Sequence, residues 1–406
     1  MQGGVMSITK QAMKFLSALL LGASVATLPA VAEEIKIGVL TPLTAGAHSL
    51  GKEAVRGAEM AAEYINAKGG VLGKQIKVII EDDAGQVEKA VSGFRKLTSQ
   101  DKVVAIIGQI HSSNMLALIK PAEKAGIPIF STQASNVKIT ASKSPNVFRT
   151  AAIDPDRAEA WVSFIQTKGF KKVALVAENT DYGVGLITLM KTLNKERSLG
   201  LELKNFVFDK NSRDLTPQLL QIKNWGADLV LNIGVGDAGY LITKQAYDIK
   251  LFPETPMVAS YDWPSQPIFW ENLGKKGTYL TYISYGHPKQ KLTALGEWFK
   301  AAYEKRYNDA PIFGASNAFG QIVIISEAIY HAGSADPAAI MKALEDYHYD
   351  NFNGPVKFNR AEGSRWHQSS PPILIVQHTA QGQSLGEGTI LHPPNLKTGS
   401  LTQGSR

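Results

Sequence analysis

Residues 103–113 read VVAIIGQIHSS, and residues 128–135 read PIFSTQAS. Each stretch contains a short apolar run, which is typical of a strand buried on both faces of a parallel sheet. The segment between them, from Ser112 to Gly126, repeats its apolar residues at helical spacing and begins with hydroxyl residues. The pattern predicts a strand, a helix and a second strand, with both strands ending at one edge of a sheet.

Polar side chains follow both of these predicted strands. Ser112 and Ser113 follow the first strand, and Gln133 and Ser135 follow the second. Open α/β sheets bind ligands at the carboxyl edge, and the free N–H groups of a helix start there favour an anion. Ser112 could instead do no more than cap its helix. Because a second hydroxyl cluster lies on the neighbouring strand, we expect a site for a small-molecule carboxylate.

The N-terminus has the pattern of a signal peptide. Lys10 and Lys14 precede an apolar stretch over residues 15–28, and Ala30-Val31-Ala32 follows as a cleavage pattern. We expect residues 1–32 to be removed after Ala32 and the protein to be exported to the periplasm. The chain has no cysteine, which excludes disulfides, thiol catalysis and a lipid-modified cysteine and favours an untethered protein.

Composition excludes several other classes of function. The formal net charge is +7, but the basic residues are spread along the chain rather than clustered with aromatic residues as on a nucleic-acid surface. The eight histidines are scattered and lack metal-ligand spacing. The chain also lacks a phosphate-binding P-loop sequence. We therefore expect no nucleic-acid partner, no metal and no cofactor.

Strand and helix patterns alternate from residue 35 onward, which predicts parallel doubly wound sheets. The cycle restarts near residue 172, so two α/β lobes with a cleft between them are expected. Later helices are predicted over residues 292–307 and 319–332. The predicted division is residues 33–150 with 283–356 for the first lobe, 151–282 with 357–385 for the second lobe, and 386–406 for a flexible, Gly-, Pro- and Ser-rich tail.

One glycine motif suggests a different function. Residues 234–239 read GVGDAG, which matches the dinucleotide fingerprint between a predicted strand and a helix, and Asp262 could serve as the ribose partner. The motif lies in the middle of an exported chain, however, and a lone glycine fingerprint is a weak signal. A nicotinamide-dependent oxidoreductase is therefore the alternative, and a tight turn at the cleft edge is the favoured interpretation.

Several blocks resemble the periplasmic leucine/isoleucine/valine-binding proteins of ABC importers. Residues 35–44 (IKIGVLTPLT) resemble the opening of that family, and residues 63–73 (EYINAKGGVLG) resemble its next block. EDDA at 81–84 and DYGVG at 181–185 follow in family order. The resemblance implies a type I periplasmic binding fold with three hinge crossings. It also implies closure over a small solute, an inner-membrane permease as partner and no enzymatic activity, and we expect a monomer.

The resemblance also implies a set of ligand contacts. Ser112 and Ser135 match the residues that hold the ligand carboxylate, and Gln133 would add main-chain contacts. Tyr182 would reach in from the second lobe. An acid that holds the ammonium group should fall near Asp262. The remaining candidates at the cleft are Ser113, Tyr261, His48, His111 and Phe313.

The chain departs from the family pattern in ways that bear on the ligand. The histidines at 48 and 111 are unusual at the cleft, and Tyr261, Trp263 and Trp270 make the second-lobe edge aromatic. Aromatic residues more often belong to the core than contact a ligand. Together, however, these residues make an aromatic or keto acid a candidate ligand in addition to a branched-chain amino acid. If Asp262 does not face the cleft, the ligand lacks an ammonium group. A sensory ligand-binding module would share the same fold and cleft.

Overall fold

The computed structural model describes residues 33–266, 268–287 and 290–404. The predicted signal peptide and its cleavage after Ala32 lie outside the described residues. The first part of the chain alternates strand and helix as expected. Its elements are β1 (Glu34–Thr41), α1 (His48–Asn66), β2 (Gln75–Asp82), α2 (Val87–Ser99), β3 (Ala105–Gln109), α3 (Ser112–Ala125), β4 (Ile129–Ser131), α4 (Val137–Ala141) and β5 (Val147–Arg149).

These strands form a five-stranded sheet in the order β2-β1-β3-β4-β5, with every neighbouring pair parallel. The apolar run in β3 is buried along its whole length, as the sequence predicts. Gly108 allows the close approach of β1, because its φ is +123° and a Cβ there would lie 2.8 Å from the Leu40 carbonyl oxygen. Helix α3 ends at Gly126 in the left-handed conformation.

The second part of the chain repeats the alternation. Its elements are α5 (Asp154–Lys168), β6 (Lys172–Glu178), α6 (Asp181–Glu196), β7 (Glu202–Phe208), α7 (Thr216–Trp225), β8 (Leu229–Ile233), α8 (Asp237–Asp248), β9 (Met257–Ala259), α9 (Ile268–Leu273) and β10 (Thr281–Ser284). The remaining elements are α10 (Ala294–Tyr307), α11 (Phe313–Ala332), α12 (Pro337–Asp346), β11 (Tyr349–Asn351), β12 (Gly354–Val356), β13 (Leu374–Gln377) and β14 (Thr389–His392).

The second sheet has seven strands in the order β14-β13-β10-β9-β8-β6-β7. Strands β6 to β10 pair in parallel, whereas β13 pairs antiparallel with β10 and β14 pairs antiparallel with β13. Helix α11 returns to the first sheet, where Phe319 and Ile322 share a core with Ile37. This helix begins at Phe313, six residues before the predicted start. The predicted α/β fold with two doubly wound sheets is confirmed.

The last return to the second sheet falls later than the sequence indicates. Phe358 packs edge-on against Phe130 and Phe148 of the first sheet, and the His367 ring stacks on Phe148. Gln368 still pairs with the first sheet through a bridge to Arg149. We therefore propose that the first lobe extends to about residue 368, instead of ending at 356, and that the second lobe resumes at β13.

The expected flexible tail over residues 386–406 is wrong for the part that the structure describes. Strand β14 forms the edge of the second sheet and buries Ile390 and Leu391. The backbone amide of Thr402 donates to the side chain of Gln377 at 2.9 Å. Composition misleads here because the turn-forming glycines and prolines flank a four-residue strand that lies too close to them to show a period.

Two absences hold within the described residues. No helix there is both long and apolar enough to cross a bilayer. Nor does that part of the chain bring together three metal-ligating side chains of the His, Cys, Asp or Glu type.

Ending the chain at residue 386 should destabilise it. The truncation removes β14, leaves β13 as an open edge and exposes the core that Ile390 and Leu391 cover, at a cost of about 2–5 kcal/mol in the free energy of unfolding. Urea unfolding of the truncated and complete mature chains measures this difference. Leu396→Ala is the control, because Leu396 is 48% exposed and should change stability little. Equal stabilities would mean that β14 contributes nothing to the fold.

Candidate functional site

The carboxyl edges of the two sheets face each other and are held together by hydrogen bonds between the lobes. Lys210 Nζ donates to the Gly85 carbonyl at 2.7 Å. The Asp181 amide donates to Ser113 Oγ at 3.3 Å, and Asn136 Nδ2 donates to the Asp181 carbonyl at 2.6 Å. These contacts join residues that follow strands of different sheets. The arrangement is therefore a closed cleft.

A cavity of about 390 Å³, here called the cleft cavity, lies between the two edges. Its lining comes from both lobes, with the residues up to 114 on the first and the others on the second. The lining residues are Gly85, Val87, Ile110, His111, Ser112, Ser113, Asn114, Glu178, Thr180, Tyr182, Lys210, Val235 and Tyr261.

The start of α3 supplies polar groups to the cleft cavity. Ser112 is the first residue of the helix, and no side chain caps its N-terminus. The backbone amides of the first turn therefore have no partner within the helix. The Ser112 hydroxyl, which is buried, accepts a hydrogen bond from the Asn136 amide at 3.2 Å. Ser112 thus does not cap its own helix but fastens α3 to the loop after β4.

Gln133 and Ser135 lie in that loop, behind the cavity wall. The Tyr261 hydroxyl donates to the Gln133 carbonyl at 2.8 Å and lies 3.2 Å from Ser135 Oγ. The buried side-chain amide of Gln133 has no hydrogen-bond partner within the part of the chain that the structure describes. The main-chain contact predicted for Gln133 is therefore made to a tyrosine of the opposite lobe in this closed form.

Tyr182 lines the cavity from the second lobe. The ring is buried and lies 5.3 Å from the Tyr261 ring, centroid to centroid. Among the described residues its hydroxyl has no partner at normal hydrogen-bond geometry, although the Ser260 hydroxyl is close. The two tyrosines form a wall with one unused donor.

Two histidines were predicted at the cleft, and the structure separates them. His111 lines the cleft cavity, where burial and then Lys210 lower its pKa to about 4, so the ring is neutral near pH 7. His48 is the first residue of α1, is half-buried and lines neither of the two cavities described in this section.

Asp262 and Phe313 lie in a different place. They line a larger, mostly apolar cavity of about 640 Å³ together with Tyr285, Phe299 and Phe352. Burial raises the pKa of Asp262 to about 7. Its carboxylate faces the Phe313 backbone amide but has no hydrogen bond at normal geometry. The acid that the resemblance assigned to the ligand's ammonium group therefore does not line the cleft cavity.

Sequence reasoning missed Arg157, which lies directly behind the tyrosine wall. The side chain is fully buried, and its Nη1 donates to Asp154 at 2.8 Å and to Ser135 Oγ at 3.1 Å. Its Nη2 donates to the Tyr285 hydroxyl, and the guanidinium carbon lies 4.5 Å from the Tyr261 ring centroid. The signal available was an Asp and an Arg three residues apart in the first turn of a predicted helix.

Glu178 was missed as well, although it is the polar residue that closes the apolar strand β6. It lines the cleft cavity, and its Oε1 accepts a hydrogen bond from the Val235 amide at 2.7 Å. Burial raises the pKa of its carboxyl group to about 7, against the opposing effects of the Val235 amide and of Lys210. This acid is therefore only partly ionised at neutral pH.

The glycines of residues 234–239 serve packing rather than a pyrophosphate. A Cβ at Gly236, whose φ is +56°, would lie 2.8 Å from the Gly46 carbonyl oxygen of the first lobe. A Cβ at Gly239 would lie 2.7 Å from the Trp263 indole. Because the opposite lobe and an indole fill the space above the turn, a dinucleotide has no place to bind there in the closed form.

Comparison with known proteins identifies the family. The model of the periplasmic binding protein family matches residues 34–383. The chain belongs to this family. The Leu/Ile/Val-binding protein homolog 7 of Brucella suis biovar 1 (strain 1330) is 30% identical over 345 residues, which cover 82% of this chain and 86% of that protein.

Solved structures share the fold. A leucine-binding protein from Thermotoga maritima MSB8 aligns with a TM-score of 0.77 at 23% identity, over 89% of this chain and 99% of the other. A solute-binding protein from R. palustris, solved in complex with benzoate, aligns with a TM-score of 0.76 at 20% identity, over 88% and 95%. The family supports a solute-binding role over the oxidoreductase alternative.

Glu178→Gln should change how stability depends on pH. A buried acid whose pKa is about 7, rather than 4.5, keeps its proton in the folded state after the unfolded state has lost it. Stability contributed by this group therefore falls as pH rises from about 4.5 to 7, by about 3 kcal/mol in total. The glutamine variant should lack that fall in urea unfolding at a series of pH values. Glu254→Gln, at an exposed position, should match wild type, and a glutamine curve parallel to wild type would contradict the assignment.

Gly236→Ala should hinder closure of the cleft. The new Cβ would meet the Gly46 carbonyl of the opposite lobe, and the backbone angles of Gly236 (φ +56°, ψ −124°) are strained for alanine. Gly226→Ala is a control for a positive φ without the contact, because Gly226 has a φ of +71° and a Cβ there meets nothing within 4 Å. Small-angle scattering should show the Gly236 variant more open than the control. If both variants have the wild-type radius of gyration, the turn does not limit closure.

Proposed function

We propose that the protein is the solute-binding component of an ABC importer and captures a small carboxylate ligand in the cleft cavity. The observation that carries this proposal is the uncapped start of α3, with Ser112, facing Tyr182 and Tyr261 across an enclosed space. The role is to bind and deliver, not to catalyse. Export to the periplasm after cleavage at Ala32, an inner-membrane permease partner and a monomeric state belong to the same proposal.

The first lobe would hold the carboxylate. The free amides of the first turn of α3 and the Ser112 hydroxyl are donors, and the helix dipole favours a negative charge there. Ser113 lies beside them, and its hydroxyl oxygen accepts a hydrogen bond from the backbone amide of Asp181 in the second lobe. Gln133 and Ser135 would act from behind, by holding the loop to which Ser112 is bonded.

The second lobe would enclose the body of the ligand. Tyr182, Tyr261 and Val235 present apolar surface, and the neutral His111 ring faces them from the first lobe. The direct hydrogen bonds between the lobes, from Lys210 to Gly85 for example, form only when the cleft is closed. A ligand that contacts both walls therefore favours the closed form over the open one.

Ser112→Ala should weaken binding by about 1–3 kcal/mol, because a charge-assisted hydrogen bond is lost. A thermal-shift screen of residues 33–406 against amino acids, keto acids and benzoates identifies a ligand first, and calorimetry then compares the variant with wild type. At a hundred times its dissociation constant a ligand adds about 2.7 kcal/mol of stability.

Ser99→Ala is the control, since the Ser99 hydroxyl only donates to the Arg95 carbonyl within α2. A ligand that binds the Ser112 variant as tightly as wild type would remove Ser112 from the site. The absence of stabilisation by every carboxylate in the screen would contradict the proposed function.

A further inference from the structure

Two buried arginines share one buried carboxylate beside the cleft. Arg149 and Arg157 are both fully buried, and Asp154 is buried between them and Ser135. Arg157 forms an ion pair with Asp154. Arg149 bonds only to neutral acceptors among the described residues, and burial lowers its pKa to about 9, which leaves it charged at neutral pH. One positive charge is therefore unmatched. The neutral acceptors are the carbonyls of Ala134 and Asn136, Thr140 Oγ1 and Gln368 Oε1.

Both guanidinium groups are bonded to the loop that holds Ser112. Arg149 Nη1 donates to the Asn136 carbonyl at 3.0 Å, and Arg157 Nη1 donates to Ser135 Oγ. The Asn136 amide in turn donates to Ser112 Oγ. Arg157 lies close to two aromatic rings that line the cleft cavity, since its guanidinium carbon lies 4.5 Å from the Tyr261 ring centroid and 5.5 Å from that of Tyr182.

The other charged groups nearby cancel this charge only in part. The buried carboxyl group of Asp262 interacts with Arg157, but burial raises the pKa of Asp262 to about 7, so it is only partly ionised at neutral pH. Asp156 pairs with Arg365 at the surface. Lys210 lines the cleft cavity and adds a positive charge there. Glu178, the acid that lines the same cavity, already accepts a hydrogen bond from the Val235 backbone amide and is partly protonated at neutral pH. Burial also raises the pKa of Asp154, and any protonation of that residue would make the cluster more positive.

We infer that this unmatched buried charge makes the cleft select a net anion, namely an organic acid without an ammonium group, over the zwitterionic amino acid of the same shape. The inference rests on the proposed function and names its ligand class. A fixed charge in a poorly solvated site acts on a bound charge far more strongly than it would in water. It attracts the carboxylate of either ligand but repels the ammonium group of the amino acid. The carboxylate of Asp262, which could balance an ammonium group, lines the other cavity.

Isosteric ligand pairs test this inference. Calorimetry on the mature full chain compares 4-methyl-2-oxopentanoate with leucine, and phenylpyruvate with phenylalanine. The members of each pair differ in the ammonium group and share the carboxylate and side chain. We expect at least one keto acid to bind about tenfold or more tightly than its amino acid.

Three variants change the buried charge in known steps. Arg157→Gln lowers the net charge of Arg149, Arg157 and Asp154 from +1 to zero and should lower the keto-acid preference by about tenfold. Asp154→Asn removes the negative charge, which raises the net charge of the cluster, and should raise the preference. Each single variant leaves a buried charged group without its partner and could therefore unfold. The double variant removes both charges and keeps the net charge of wild type. Its preference ratio should return toward the wild-type value, even if both affinities fall.

The outcomes separate the inference from the function on which it rests. If wild type binds the amino acid as tightly as the keto acid, or more tightly, the inference is wrong and the solute-binding role stands. If no carboxylate binds, the proposed function itself fails. If the double variant loses the preference as fully as Arg157→Gln does, the contacts of Arg157 and not the net charge decide selectivity, and the inference is overturned.

Discussion

The site depends on the burial of Arg149 beneath the loop after β4. Its guanidinium group donates to the carbonyls of Ala134 and Asn136. Movement of the loop would therefore leave a buried charged group without these hydrogen bonds. Leaving a buried polar group without its hydrogen bonds costs about 1–3 kcal/mol, and more when the group is charged, which is a large fraction of the stability of an ordinary domain. The loop is therefore a rigid platform, and Ser112 is positioned by it through the Asn136 amide.

The same platform explains how the second lobe meets the first. Tyr261 follows β9 and reaches across the cleft to donate to the Gln133 carbonyl. Arg157 belongs to α5, which packs on the second sheet, yet it donates to Ser135 of the first-lobe loop. Closure therefore brings a tyrosine wall and a guanidinium group onto a surface that is already fixed. Hydrogen bonds across the cleft therefore fix the position of the wall in addition to apolar packing between the lobes, and this makes closure selective for one geometry.

The fold could be predicted from the sequence because its strands and helices are determined by patterns of neighbouring residues. The buried run of β3, the start of α3 at Ser112 and the left-handed Gly126 each follow from neighbouring residues. The resemblance to known proteins added Tyr182, which lines the cleft cavity. Glu178 was missed because its partner is distant in sequence, since Val235 follows it by 57 positions. Arg157 was missed although Asp154 is only three residues away, because the contacts that bring it to the cleft are with Ser135 and Tyr285, which are 22 and 128 positions away. Asp262 was misplaced for a related reason, since a strand end fixes which edge a residue occupies but not which of two cavities it lines.

The charges around the cleft follow from a balance between burial and ligand. Tyr182 lines the cleft cavity, and its buried hydroxyl has no hydrogen-bond partner among the described residues in the closed form. Such a group costs about 1–3 kcal/mol, so a closed cleft without solute is strained by this unsatisfied donor. A ligand that accepts hydrogen bonds relieves this strain, and one that also carries a net negative charge compensates the unmatched arginine. The unsatisfied donor and the unmatched charge both oppose closure of the cleft without a solute, and a bound anion compensates both. The same groups that lower the stability of the closed protein therefore make it selective for an anion.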